Sequence, residues 1–274
     1  MRAYLLILVA FVTMIVIGQP VTPLDFDTPI RVALSYDRPI GGYEVTALWQ
    51  PFDATSETGH ISVTFRNRTT GTKFEYVNTE KFSTYHTDLI IAADGFKGYK
   101  DGDEYTIEYI SPETPTLPHK PIDYYLPFQF YDVDFDGVNE LLVRDWGGSR
   151  NGDCSVYEVT NLGLKVKLYF PFGQIDAQTE FDGEQQTIKL CVEDGAWLYY
   201  ELICKKHPQK EPQQLIIPTE IDPSLQKILV DITARTTASD FHILSASVWL
   251  GEKVYELDVT SNSWNLRCSK SQIK

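Results

Sequence analysis

Residues 132–140 read Asp132-Val133-Asp134-Phe135-Asp136-Gly137-Val138-Asn139-Glu140. Three carboxylates at alternate positions would repel one another along a regular strand. They can converge if the backbone wraps around a cation, and Gly137 permits the sharp turn that wrapping needs. Hard anionic oxygens in flexible number suit Ca²⁺ better than a soft transition metal. The expected ligands are the side chains of Asp132, Asp134 and Asp136 and the carbonyl of Val138. Glu140 would close the shell directly or through water. The loop is not an EF-hand, because counting from Asp132 the twelfth position is Val143 and the bidentate Glu is missing. Asp145 and Asp153 could add outer ligands. The expected affinity is that of extracellular modules, about 10⁻⁴–10⁻³ M or somewhat tighter. An ion held this way organises the fold; catalysis would need an open coordination position and a poised water.

The elements around the loop must be strands. Phe128–Tyr131 and Leu141–Arg144 flank it as short apolar runs. His60–Arg66 alternates, with Ile61, Val63 and Phe65 on one face. Lys73–Val77, Glu104–Tyr109, Pro127–Tyr131, Glu140–Asp145, Ser155–Val159, Lys165–Tyr169, Lys227–Thr233, Ile243–Leu250 and Lys253–Val259 also read as strands. The stretch Gln186–Glu193, Asp194-Gly195, Ala196–Cys204 reads as a hairpin on a two-residue turn. Helix is confined to a short candidate, Pro223–Ile228, with Asp222 as its N-cap. The predicted class is all-β, with antiparallel sheets in a propeller-like or sandwich-like arrangement.

The chain has 274 residues, a net charge of −14 and 13% aromatic residues. An acidic surface repels phosphate backbones, which argues against nucleic acid as a partner, and it attracts cations and basic proteins. Arg2 followed by an apolar run from Tyr4 to Ile17 reads as a signal peptide over residues 1–18, with cleavage before Gln19. The run is shorter than the roughly 20 residues a bilayer span needs. The expected location is therefore the periplasm or the outside of the cell, with no stable membrane span after cleavage. Proline-rich residues 111–123 suggest a boundary near 117, between an N-terminal β region (19–116) and a calcium-binding β domain (117–274). A single domain with a surface loop there is the alternative. A second polar stretch, Lys205–Gln214, reads as an exposed loop.

Export permits disulfides, and Cys154, Cys191, Cys204 and Cys268 are expected to form two. The hairpin register argues against Cys191–Cys204 unless its loop is longer than two residues. None of the cysteines has the spacing of a zinc or redox site. The five histidines, His60, His86, His119, His207 and His242, lie more than twenty residues apart and show no local metal pair. Ser149, in Gly147-Gly148-Ser149-Arg150, lacks the nucleophile-elbow pattern. Trp197, Tyr199 and Tyr200, or Tyr124 with Tyr125, could form a sugar-stacking platform, although aromatics in β cores are commoner.

The run PFQFYDVDFDGVNELLV, then WGGSRNGDCSVYEV and FDGEQQTIKL…GAWLYYELI, resembles the calcium loop and following strands of secreted bacterial proteins related to FG-GAP and VCBS repeats. It is closer to the periplasmic, propeller-like lysozyme-inhibitor-type family. The resemblance covers roughly residues 125–205. It implies that Asp132, Asp134, Asp136 and Glu140 correspond to calcium ligands, and it carries no inhibitory residue onto this chain. The sequence therefore leads to an exported, calcium-stabilised, non-enzymatic β protein that binds or inhibits an extracytoplasmic partner. A basic, lysozyme-like hydrolase is the sharpest form of that partner. An envelope carbohydrate-binding protein or a glycan-directed enzyme is the alternative.

Overall fold

A computed structural model of the chain describes residues 30–54, 56, 58–83, 98–109, 121–122, 126–144, 154–194, 198–208, 213–236, 239–250, 253–260 and 263–270. Residues 1–18, read as a signal peptide, the proline-rich stretch 111–120, and Asp145, Ser149, Asp153, Tyr124, Tyr125 and Trp197 lie outside them, as do His86 and His119. Among the described residues, fifteen strands form three sheets. The first sheet contains β1 (Val32–Tyr36), β2 (Glu44–Pro51), β3 (Thr58–Arg66), β4 (Lys73–Ser83) and β5 (Glu104–Ile107), in the order β4-β3-β2-β1-β5. Its β1–β5 pair is parallel and the rest are antiparallel. The second contains β6 (Phe128–Tyr131), β7 (Glu140–Arg144), β8 (Cys154–Thr160) and β9 (Gly163–Val166) in chain order. The third runs β10 (Glu180–Asp182), β11 (Thr187–Asp194), β12 (Leu198–Lys206), β13 (Phe241–Leu250), β14 (Lys253–Thr260) and β15 (Ser263–Lys270), all antiparallel. The class is all-β, and stacked sheets make it sandwich-like.

The four-stranded sheet is the middle layer. β7 reads Glu-Leu-Leu-Val-Arg and every residue in it is buried. Side chains alternate across a strand, so Leu141 and Val143 join the core shared with the five-stranded sheet, while Leu142 joins the core shared with the six-stranded sheet. A strand covered on both faces needs a continuous apolar run, not an alternating one. β3 shows the complementary pattern: Ile61, Val63 and Phe65 are buried and the residues between them are more exposed. The boundary expected near 117 falls between the first sheet and the other two. The core continues across it, because Phe128, Leu141 and Val143 pack with Trp49, Phe65 and Tyr76.

The structure corrects five expectations. The segment read as a strand at Lys227–Thr233 belongs to helix α1 (Pro223–Thr236), which is also much longer than Pro223–Ile228. Its buried residues, Leu225, Ile228, Leu229, Ile232 and Thr236, recur at helical spacing, and that stripe outweighs the β-branched composition. The N-cap holds: the Asp222 carboxylate accepts the Ser224 amide at 2.8 Å. The hairpin pairs Asp194 with Leu198, so three residues, 195–197, join its strands in place of two. The expected pair of disulfides does not form, since Cys154, Cys191 and Cys204 are buried and none of them is disulfide-bonded. Cys191 lies opposite Glu201 and Cys204 opposite Ile188, which places the two thiols on opposite faces of the sheet. Lys205 and Lys206 extend β12, and Gln213 is buried, its amide bonding both the N–H (2.8 Å) and the C=O (3.0 Å) of Ile243 beside a β-bulge. The strand expected at Lys165–Tyr169 ends instead at Val166. No helix among the described residues is long and apolar enough to cross a membrane.

Candidate metal centre

The loop between β6 and β7 is anchored by its apolar residues and presents its acids. Val133 is fully buried in the core of the six-stranded sheet. Phe135 reaches the rings of Phe181 (6.5 Å) and Phe241 (6.4 Å). It holds a left-handed backbone, φ 59°, followed by Gly137 at φ 87°. The first is uncommon outside glycine and is retained here by the ring contacts. With the apolar pair turned inward, Asp132, Asp134 and Asp136 turn to one place, and each offers an oxygen within 4.8 Å of the others.

Backbone amides hold these carboxylates. Asp132 accepts from Asp136 N (3.0 Å) and Gly137 N (2.9 Å), Asp134 from Asp136 N (3.2 Å), and Asp136 from Val138 N (2.8 Å). Val138 itself is exposed. Glu140 stands apart from the group of three. It is buried on β7, and its two oxygens accept the Val133 amide (3.1 Å) and the Lys167 ammonium (2.6 Å).

Lys167 is the functional residue that sequence reasoning missed. It follows β9, its side chain is 6% exposed, and its ammonium bridges Glu140 and Asp134 at 2.6 Å each. It also sits 5.3 Å from the centre of the Phe172 ring. Burial works against its charge, but the bonds to Asp134 and Glu140 outweigh burial and raise its pKa above the ordinary lysine range. Burial pushes the Glu140 carboxyl up, and Lys167 offsets that only in part. Lys206, from β12, donates to the Asp134 carbonyl and lies 3.8 Å from its carboxylate. In the sequence, Lys165 and Lys167 look like the same polar face of one strand; Lys165 is indeed exposed, paired with Glu158 at 3.4 Å. Lys167 continues the register, its N–H donating to the Val156 carbonyl at 2.8 Å, so it shares the face of core residue Val156, and that face is covered at Lys167 and open at Lys165.

Four carboxylates (Asp132, Asp134, Asp136, Glu140) against two ammoniums (Lys167, Lys206) leave two negative charges at the loop. Among the described residues the donor set is three acidic side chains, a set that suits an oxygen-seeking ion.

The other constellations resolve differently. Tyr199 and Tyr200 point to opposite faces of the six-stranded sheet. Tyr200 is in the core, whereas Tyr199 packs on Trp249 (ring centres 4.8 Å) and donates to Glu201 (3.0 Å). His207 and His242, far apart in sequence, stack with ring centres 4.1 Å apart. His60 meets the edge of Phe52. Burial raises the pKa of the Cys191 and Cys204 thiols, which makes them poor nucleophiles. Comparison with protein-family models, curated proteins and solved structures gave no match.

Proposed function

We propose that this chain is an exported, calcium-stabilised β scaffold that binds a protein partner outside the cytoplasm, a basic hydrolase of the lysozyme kind. Asp132, Asp134 and Asp136, with the Val138 carbonyl, hold the ion. Glu140 acts behind them, through Lys167 and the Val133 amide. The observation that carries the reading is the convergence of the three carboxylates at a loop with two uncompensated negative charges. The amino-terminal apolar run, the net charge of −14 and the resemblance over residues 125–205 support export and a basic partner.

Two measurements test it. Thermal unfolding of the mature protein in millimolar Ca²⁺ and in EDTA should differ, since a ligand at about ten times its dissociation constant stabilises by about 1.4 kcal/mol. Asp136→Asn, at a side chain whose one amide bond is to Val138, should abolish the difference. Equal melting of wild type in both conditions removes the metal from the reading. Calorimetric titration with a c-type lysozyme should show saturable, salt-sensitive binding. Hydrolysis of a glycan by the chain alone would replace this reading with a glycan-directed enzyme.

A further inference from the structure

The outer face of the six-stranded sheet, turned away from the core, carries a groove of about 420 Å³. Its lining includes Glu180, Asp182, Lys189, Ile203, Leu244 and Ser245. The register explains why these meet. Lys189, Ile203 and Ser245 form one rung across β11, β12 and β13, with Glu180 opposite Lys189 on β10. The irregularity at Ile203/Cys204 leaves Leu244 outside the pairing, and it faces solvent. Asp182 is fixed by accepting the amides of Glu184 (3.0 Å) and Gln185 (2.9 Å). Lys189 is tied to Glu201 at 3.2 Å, and Glu201 is fixed in turn by Tyr199.

Charge and shape then point to one occupant. Two carboxylates of the lining, Glu180 and Asp182, accompany one ammonium, Lys189, which Glu201 engages from beside the groove. Ile203 and Leu244 are 37% and 43% exposed, an aliphatic ledge beside the acids. A cation on a long aliphatic stem satisfies both features, because Arg and Lys lay their methylenes on apolar surface while the charged head seeks carboxylates. We infer that this groove is the docking point for an arginine or lysine side chain of the basic protein partner, an inference that rests on the partner class proposed above.

The test is a ¹H–¹⁵N NMR titration of the mature chain with hexa-arginine, with hexa-glutamate and chitohexaose as comparison probes. Hexa-arginine should move the resonances of Lys189, Ile203, Leu244 and Ser245, and the other two probes should not. Glu180→Lys should weaken binding about tenfold, the effect of reversing one close charge. Glu158→Lys makes the same change in net charge on the four-stranded sheet and should leave the affinity within about twofold. Leu244→Ser, which leaves the acids in place, should weaken it about threefold, and it carries the test if Glu180→Lys does not fold. Equal weakening by Glu158→Lys, shifts confined to other surfaces, or a response of the groove to chitohexaose alone each overturns the inference. Lysozyme binding with the groove resonances unmoved also overturns it, while leaving the partner class intact. Groove resonances moved by hexa-arginine, with no lysozyme binding, support the groove and remove that hydrolase.

Discussion

The two cores on either side of the four-stranded sheet are built on different principles. The core toward the five-stranded sheet is aromatic: Tyr43, Phe65, Phe74, Phe128 and Phe130 meet edge-on or stacked, with ring centres 4.9–6.5 Å apart. The core toward the six-stranded sheet is more aliphatic, takes in helix α1, and has the Lys167–Glu140–Asp134 bridge at its margin. The described residues of the first core are apolar and aromatic, so buried area and ring geometry dominate there. The second borders a charge network in which removing one partner leaves another buried and uncompensated. One middle sheet thus separates a region held by packing from a region whose stability depends on charge.

The largest expected break in that contrast comes from Lys167→Met. The change keeps the aliphatic bulk and strips the counter-charge from Glu140, so unfolding free energy should fall by about 3–5 kcal/mol. Lys167→Met combined with Glu140→Gln should recover part of the loss, which a simple packing defect would not allow. The pH dependence follows from the same bridge. The folded pKa of Lys167 lies above its ordinary value of 10.5, so its contribution is complete below that pH and is lost as pH rises through the folded value. Denaturation in EDTA should show wild-type stability falling more steeply above pH 10.5 than that of Lys167→Met. Parallel curves would mean that the bridge contributes nothing.

Leu141 and Leu142 offer a sharper comparison, because adjacent residues of β7 serve opposite cores. Each change to Ala should cost about 2–5 kcal/mol. Leu141→Ala should leave the calcium-dependent shift in melting temperature at the wild-type value. Leu142→Ala loosens the core that also holds Val133 of the loop, and should reduce that shift. Identical calcium responses from both variants would show that the two cores are not separate in their coupling to the loop.

How far the sequence reveals this depends on whether the signal is local. The alternation Asp-Val-Asp-Phe-Asp-Gly is local; in the structure the three acids lie together while Val133 and Phe135 pack toward the core. The alternation in β3 is equally legible. The bridging lysine is not, because Lys165 and Lys167 have the same strand-like spacing and face, and only what packs over that face separates an exposed side chain from a buried one. The stacking of His207 on His242 and the lining of the outer groove arise from long-range pairing of β12 with β13. That Cys191 and Cys204 stand on opposite faces of one sheet follows from the strand register, which the count of four cysteines cannot reveal. Helix α1 was obscured for a different reason: Ile228, Leu229, Val230, Ile232 and Thr233 favour a strand by composition, while their spacing favours a helix.

That helix supplies the smallest and most local test, since it belongs to the second core alone. Asp222 accepts the Ser224 amide, and its own carbonyl accepts Gln226 N–H to begin the helical ladder. Asp222→Ala removes the side-chain bond and the negative charge at the positive end of the helix dipole, but leaves the carbonyl. The expected cost is about 1 kcal/mol. Because Leu225, Ile228, Leu229 and Ile232 are buried on one stripe, the helix should not unravel as a whole. Hydrogen exchange should therefore rise in the first turn and stay slow at Leu229 and Ile232, and the aromatic core should keep its wild-type protection. Faster exchange at Phe65 or Tyr76 would show that the aromatic core responds to a change at the helix, and the division into two independently stabilised regions would fall.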